Sequence, residues 1–339
     1  MFKVDGIDRV DSRSQFSLGL CLLRRCIWGR VLLHYMKNLS IADQYTTSIN
    51  LAGLVGQIMY IPAGGHKNHN ILIVYGHFGT LSNYLGLAKD LAKYGNVTVP
   101  ELPGFNNHQS LYKIHDKPTI DELAEYLATV VNYRFRKRKV TIVGVGFGGV
   151  IITRMLQRHS SIARKVNTVI SIDGMAHHDD LNSLSSHKRR LYALLFRAFS
   201  WRLPSEIAKN TNIPDSLIEK IYRVRAKNVS KGGVKQRLID WRLHDFRTYM
   251  RTMSELLKLD NCQQPVNVKF AQVWSGTLTC LDREVTDQHL QIIFDDFQLI
   301  TSQQKISKRA DPIKQMYRIT LPKPLHKLLL KTAKSSIIE

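Results

Sequence analysis

The strongest constraint in the sequence is a short apolar run that ends in a glycine-rich turn and continues as a helical pattern, Val140–Leu156 (VTIVGVGFGGVIITRML). Val140–Val143 is short, apolar and β-branched, as expected of a buried parallel strand. Val150–Gln157 has helical periodicity, with Arg154 and Arg158 on its outward side. A strand, a tight turn and a helix in this order predict one βα unit of an α/β fold.

Three further apolar runs predict buried strands on both sides of this unit, at Asn70–Tyr75, Asn96–Pro100 and Asn167–Asp173. A glycine loop follows the first of them, and a helix is predicted over Ser82–Lys93. Tyr45–Ile61 has the pattern of short antiparallel strands. Strands that alternate with helical segments place the chain in the α/β class.

The order of strand, glycine loop, helix, strand and a D-x-P-G-F-like segment (Glu101–Phe105) resembles the front half of the α/β-hydrolase fold superfamily. The resemblance covers about residues 45–175 well and the chain from Pro265 onward loosely. It implies a doubly wound, mostly parallel sheet with an inserted helical cap. In this superfamily the turn reads G-x-S-x-G and exposes a nucleophilic Ser. This chain has Gly146 at the nucleophile position, which is similar to the non-catalytic N-myc downstream-regulated family.

The resemblance also implies an oxyanion hole made of two backbone N–H groups. Carried over to this sequence, the donors are Phe147, which follows the turn, and Phe78, in the loop after the early strand. The superfamily usually has His-Gly in that loop, whereas this chain has Tyr75-Gly76-His77. With Gly146 in place of a nucleophile, the leading prediction is a binding or scaffolding pseudo-hydrolase.

The acid of the superfamily is expected after the next-to-last strand, here predicted at Val266–Trp274. Asp282 is the preferred acid, and Asp173, which closes the strand after the glycine turn, is the alternative. The histidine is expected after the last strand, for which Met316–Leu321 is the best candidate. That places the histidine at His326.

Several alternatives stay open at this point. His289 replaces His326 if the spacing to the acid is shorter, and the nucleophile of an active esterase or lipase-like hydrolase could lie outside the turn. His177 and His178 follow Asp173 closely, but this is only a weak metal motif. The sequence predicts no resident metal ion and no cofactor.

The glycine turn also satisfies the G-x-G-x-x-G pattern of dinucleotide-binding folds, through Gly144, Gly146 and Gly149, with Asp173 near the position of the ribose-binding acid. A dinucleotide-dependent enzyme is therefore a second alternative. Such folds commonly carry the pattern on their first βα turn, whereas at least two strands precede it here. The context favours the hydrolase-like interpretation.

The net charge of +22 favours anionic partners. An anionic membrane surface is favoured over nucleic acid, for which no motif is present, because Phe16–Met36 has the composition of an interfacial helix. The same segment is equally suited to pack against the body of the protein. Four cysteines without a C-x-x-C pair fit a reducing compartment. These features predict a cytoplasmic protein that can contact a membrane peripherally.

The predicted organisation is an N-terminal helical arm (1–44), a first part of the core (45–174), a helical cap (175–264) and a C-terminal part of the core (265–339). Two apolar helical stripes in the predicted cap are expected to pack on the carboxyl edge of the sheet and roof a pocket for a small apolar ligand or acyl substrate. The first comprises Leu191, Leu194, Leu195 and Ala198, and the second Leu243, Phe246, Met250, Met253 and Leu257.

Overall fold

The protein is described from a computed structural model. The structure describes residues 42–65, 68–77, 79–106, 108–136, 138–182, 184–209, 243–275, 280–300 and 323–338. Four predictions lie outside these residues: almost all of the N-terminal arm, the interfacial helix Phe16–Met36, the strand Met316–Leu321 and the oxyanion donor Phe78. Among the helices of the described residues, none combines the length and the hydropathy that crossing a bilayer requires.

Eight strands of the described residues form one sheet in the order β1-β2-β4-β3-β5-β6-β7-β8. They are β1 (Thr46–Leu51), β2 (Leu54–Ile61), β3 (Asn70–Val74), β4 (Asn96–Pro100), β5 (Val140–Val145), β6 (Val166–Ile172), β7 (Phe270–Val273) and β8 (Phe297–Ile300). The first two pairings, β1 with β2 and β2 with β4, are antiparallel, and all others are parallel. The predicted doubly wound, mostly parallel α/β sheet is confirmed.

Helices cover both faces of this sheet. Within the described residues they are α1 (Leu81–Leu91), α2 (Ile120–Phe135), α3 (Phe147–Arg158), α4 (Ser160–Ala163), α5 (Ser186–Phe199), α6 (Arg202–Lys209), α7 (Phe246–Leu256), α8 (Arg283–Ile293) and α9 (Lys323–Ile338). Side chains of β3 alternate between two cores, as the two-residue period of a strand requires. Leu72 and Val74 belong to the core that includes side chains of α2, α3, α7 and α8, whereas Ile71 and Ile73 belong to the core that includes side chains of α1 and α9.

The strand β8 was not among the predicted strands. It has four residues at the edge of the sheet, and only Ile300 of these is fully buried. An edge strand with one buried side chain lacks the continuous apolar run by which the central strands were found.

Of the two predicted apolar stripes, one is buried and the other is exposed. The α7 stripe is buried from Phe246 to Leu257, as predicted. The prediction for the α5 stripe is wrong, because Leu191, Leu194 and Leu195 are 44–60% exposed. The fully buried residue of α5 is Ala193, whose carbonyl accepts a 2.8 Å hydrogen bond from the Ser254 hydroxyl of α7. A small residue at the contact lets the two helices approach closely, which turns the leucines outward.

Glycines bring the start of α3 against the end of β3. A Cβ on Gly148 would lie 2.1 Å from the carbonyl oxygen of Val74, and a Cβ on Gly76 would lie 2.4 Å from the Cβ of Phe147. Both distances are far below a van der Waals contact, so a side chain at either position would push the helix away from the strand. The turn and the loop after β3 therefore depend on these two glycines for their proximity.

We expect Gly148→Ala to lower the free energy of unfolding by about 1–3 kcal/mol, because the backbone of β3 must move to admit the methyl group. Urea denaturation measures this loss. Gly64→Ala is the matched control, since a Cβ there meets nothing within 4 Å, and we expect its effect to stay within about 0.5 kcal/mol. Equal stability of the two variants would contradict the packing role of Gly148.

Candidate functional site

The glycine turn places Gly146 between β5 and α3 with φ +55° and ψ −118°. This backbone conformation is costly for residues with a Cβ and accessible to glycine. The Gly146 amide donates to the carbonyl of Ile172 at 2.9 Å, and its carbonyl accepts from Gly149 at 3.0 Å. A Cβ on Gly146 would meet nothing within 4 Å, so the position faces open space above the turn.

The first turn of α3 follows Gly146 directly. Phe147 is the first residue of the helix, and the first four N–H groups of a helix have no partner within it. These groups also lie at the positive end of the helix dipole. The position of Phe147 is compatible with the oxyanion donor that the resemblance implied.

The imidazole that the structure brings to this turn is His77, from the loop after β3. Its ring stacks on Phe147 with the centroids 4.2 Å apart, and it also contacts Phe105 and Tyr249. Its Nε2 lies 2.8 Å from the hydroxyl of Thr252 on α7. The Thr252 hydroxyl donates to backbone carbonyls of its own helix, so its oxygen accepts a hydrogen bond from the Nε2–H of His77. Sequence reasoning missed His77 as a site residue, because its partner in α7 is 175 residues away.

Asp173 lies beside the turn, directly after β6. It adopts φ +51°, which is unusual for a residue other than glycine, and its side chain is almost fully buried. Its carboxylate accepts the Ser275 amide at 2.8 Å and also the Ser275 hydroxyl. Since Ser275 follows β7, this pair ties two neighbouring strand ends together. Ser275 is a second residue that sequence reasoning did not single out.

Asp282 occupies the N-cap of α8. Its Oδ1 accepts the amides of Glu284 and Val285 at 3.1 and 3.2 Å, which satisfies two donors that the helix leaves unpaired. Its own amide donates to the carbonyl of Asp180 at 2.8 Å. The contacts of Asp282 are thus with α8 and Asp180, whereas Asp173 is the acid that adjoins Gly146.

His326 lies at the amino ends of the parallel strands, which we call the amino edge, whereas the turn lies at their carboxyl ends. It is in the first turns of α9, and its Nδ1 hydrogen-bonds to the hydroxyl of Tyr94, which precedes β4. Gly146 follows the carboxyl end of β5, and the strands between them run parallel. Five residues at about 3.3 Å each put on the order of 15 Å between the two edges. The structure therefore does not bring His326 to the turn.

A sequence profile of the alpha/beta hydrolase fold matches residues 70–220, which include the turn, α3 and β6. The chain has the α/β-hydrolase fold. The resemblance to this superfamily is confirmed, and the similarity of the turn to the N-myc downstream-regulated family stays a prediction. Among proteins of curated function, no sequence matches the chain significantly.

Solved structures with the α/β-hydrolase fold superpose on most of the chain. A hydrolase from Oleispira antarctica aligns with a TM-score of 0.61 at 13% identity, over 81% of this chain and 94% of that one. A bacterial membrane phospholipase A aligns with 0.60 at 14% identity, over 90% and 91%. An esterase from Thermogutta terrifontis aligns with 0.56 at 15% identity, over 85% and 99%. At such identities the similarity concerns the fold alone.

His289, the alternative histidine, belongs to a different cluster of this α/β-hydrolase fold. Its Nδ1 lies 2.5 Å from the carboxylate of Asp180, which is fully buried and also accepts the amides of Ala176 and His177 at 2.7 and 3.0 Å. The ring of His289 is 4.6 Å from that of His177. Asp180 thus fixes the chain after β6 to helix α8.

His177 and His178, the weak metal motif, lie in this cluster with Asp179, and one ligand atom from each is within 4.8 Å of the others. Internal contacts engage all three side chains. Asp179 pairs with Arg189 at 2.5 Å, and the Nδ1 of His178 lies 2.8 Å from the carbonyl of Leu259. Burial lowers the pKa of His177, and the imidazoles of His178 and His289 lower it further. We assign the cluster a structural role.

We expect Asp180→Ala to cost about 3 kcal/mol or more of unfolding free energy, because it leaves the buried amide of Ala176, the amide of His177 and the His289 imidazole without their acceptor. The neighbouring Asp179→Ala is the matched control. Its carboxylate is about half exposed, so loss of the Arg189 pair should cost less than about 1 kcal/mol. Chemical denaturation of both variants measures the difference, and a larger loss for Asp179→Ala would refute the structural assignment.

A buried acid, Glu101, directly follows the carboxyl end of β4. Its side chain is fully buried, Asn106 donates to Oε1, and Oε2 has no hydrogen-bond partner among the described residues. Burial raises the pKa of Glu101 to about 8, although the hydrogen bonds from Asn106 and the Gln57 backbone oppose the shift. The folded protein therefore holds Glu101 protonated in neutral solution.

This raised pKa makes the stability depend on pH. The native state keeps the proton of Glu101 up to about pH 8, whereas the unfolded chain loses it near the ordinary value of 4.5. Between these limits the unfolded state binds fewer protons, so stability falls as pH rises, by up to about 1.4 kcal/mol per pH unit. Glu101→Gln removes this contribution. Urea denaturation from pH 5 to 9 should show native stability falling relative to Glu101→Gln, and a constant difference would contradict the assignment.

Proposed function

We propose that this α/β-hydrolase-fold protein is a pseudo-hydrolase, which binds an apolar or acyl-containing ligand at the carboxyl edge without Ser-type acyl transfer. The observation that carries the proposal is Gly146 at the turn. The backbone keeps the geometry that presents a nucleophile in this fold, and the residue has no oxygen or sulfur to present. No acyl-enzyme can form at this position.

The placement of the histidines supports the same conclusion. Triad enzymes of this fold carry their base after the acid, late in the chain. From β8 onward the sequence contains His326 as its single histidine, and its side chain bonds to Tyr94 at the amino edge. An imidazole at that edge cannot take a proton from a group above Gly146.

Several contacts support a binding role for the carboxyl edge. The order of the strands places β4 and β5 on either side of β3, and ligands of open α/β sheets bind where the strand order reverses. The rings of Phe105, Phe147 and Tyr249 are buried there and pack around His77, which is half-buried. Aromatic walls with a few polar groups are typical of sites for apolar ligands.

The glycine pattern supports a dinucleotide site less well. A Cβ on Gly144 would lie 2.8 Å from the Cα of Gly149, and a Cβ on Gly149 would lie 3.3 Å from the Ser171 hydroxyl. The packing of α3 on the strands thus accounts for these glycines without a bound pyrophosphate. Among the residues that the structure describes, Ser275 is a candidate for a relocated nucleophile, because its hydroxyl donates to the carboxylate of Asp173.

The test is hydrolysis of nitrophenyl esters of short and long acyl chains, combined with fluorophosphonate labelling detected by intact mass. We expect the native protein to give background rates and no adduct. Gly146→Ser should gain at most weak activity, since residual rates without a complete triad are on the order of 10³–10⁴-fold over water in serine proteases. Gly146→Ala is the matched control, because it imposes the same backbone strain without a hydroxyl.

Two outcomes would contradict the pseudo-hydrolase. Turnover by the native protein that Asp173→Asn abolishes would identify an active enzyme. An adduct on the native protein that Ser275→Ala removes and Gly146→Ala leaves in place would locate the nucleophile at Ser275. Ligand binding is measured separately, by fluorescence of a fatty-acid analogue, and absence of binding to native protein would remove the binding half of the proposal.

A further inference from the structure

The helix α5 carries an apolar stripe that the fold leaves uncovered. Leu191, Leu194 and Leu195 occupy positions i, i+3 and i+4 on its outward side and are 56%, 60% and 44% exposed. Trp201 and Leu203 extend the stripe towards α6 and are 63% and 74% exposed. Single exposed apolar residues are common, but a contiguous exposed group marks an interaction surface.

Basic residues border this stripe. Arg190, Leu194 and Arg197 form one row along α5 (i, i+4, i+7), and Lys188 lies on the other side of Leu191. All three basic side chains belong to exposed residues. The sequence of α5 (SHKRRLYALLFRAF) contains no acidic residue. The surface therefore has an apolar centre and a cationic border.

The rotation of α5 is fixed from the inward side. Ala193 packs on α7, where its carbonyl accepts the Ser254 hydroxyl, and Arg189 turns inward to Asp179 at 2.5 Å. These contacts hold the leucines outward in the folded protein. The exposed stripe is thus a property of a packed helix and needs no rearrangement to meet a partner.

We infer that α5 and the Trp201–Leu203 segment form a docking surface for an anionic lipid bilayer. Interfacial helices place Leu and Trp at the acyl boundary and Lys and Arg among the head groups. Each basic residue near an anionic leaflet adds about a fivefold gain in binding. The net charge of +22 also attracts the whole protein to an anionic bilayer at long range.

The basic border of this surface disfavours two other partners, the segment 210–242 of the same chain and a second copy of the chain. The segment 210–242, which follows α6 in sequence, has eight Lys and Arg against three Asp and Glu, so it does not complement a basic border. A second copy of this chain would bring two basic borders together around the same stripe. A leaflet rich in phosphatidylserine satisfies both the apolar centre and the cationic border.

The experiment is flotation of the full chain with phosphatidylcholine vesicles, with and without phosphatidylserine, at low and high salt. We expect binding to the anionic vesicles alone, reduced in high salt. Lys188→Gln/Arg190→Gln/Arg197→Gln should weaken it by about a hundredfold. Lys117→Gln/Arg136→Gln/Arg138→Gln is the matched control, since it removes the same charge from exposed residues elsewhere and should lose much less.

A second variant tests the apolar centre of the surface. Leu191→Ser/Leu194→Ser/Leu195→Ser should weaken vesicle binding by roughly tenfold or more, because the lost apolar area no longer enters the acyl boundary. Ile292→Ser, at a 57% exposed residue of α8, is the control and should bind as the native protein does. Unchanged thermal unfolding of all variants shows that they remain folded.

Three results would overturn the inference. They are absence of native binding to anionic vesicles, equal losses in the α5 variants and their controls, and self-association of native protein that the Leu-to-Ser variant abolishes. The last result would assign the surface to a second copy of the chain. None of these outcomes depends on ester hydrolysis, so the inference stands or fails independently of the pseudo-hydrolase.

Discussion

The approach of α3 to the end of β3 sets the geometry of the whole carboxyl edge. Gly148 lets the helix touch the carbonyl of Val74, and Gly76 lets the loop after β3 pass the side chain of Phe147. The stacked rings of His77 and Phe147 lie beside this contact, at the first residue of α3. In the α/β-hydrolase fold the same arrangement serves a nucleophile. Here the same packing surrounds Gly146, a residue without a nucleophilic atom.

Much of the fold could be predicted from sequence because its central elements carry strong local signals. The strand Asn96–Pro100 has the predicted bounds, and the turn after β5 begins a helix as expected. These strands are buried on both faces, so their apolar runs are continuous. The edge strand β8 has one fully buried residue and gave no such signal. Local periodicity reports burial, and burial is least at the edges of a sheet.

The site was harder to predict, because chain order does not tell at which edge of a sheet a residue lies. His326 follows the acid in sequence, but helix α9 starts at the edge where β4 begins, and the imidazole meets Tyr94 there. Asp282 precedes a helix, which is a local pattern that a cap explains completely. The pairs His77 with Thr252 and Asp173 with Ser275 join residues more than a hundred positions apart. Only the fold brings such pairs together.

The orientation of α5 links the two proposals. Burial of a leucine side chain contributes about 1.5–3 kcal/mol, so a helix that buries Ala193 and exposes three leucines gives up several kcal/mol within the isolated chain. The Ser254 hydrogen bond and the Arg189–Asp179 pair contribute about 1 kcal/mol or less each on the inward side of α5, so they offset only part of this cost. The other side of α7 bears Thr252, which contacts His77. A bilayer on α5 would therefore lie about one helix diameter, roughly 10 Å, beyond the helix that covers the turn.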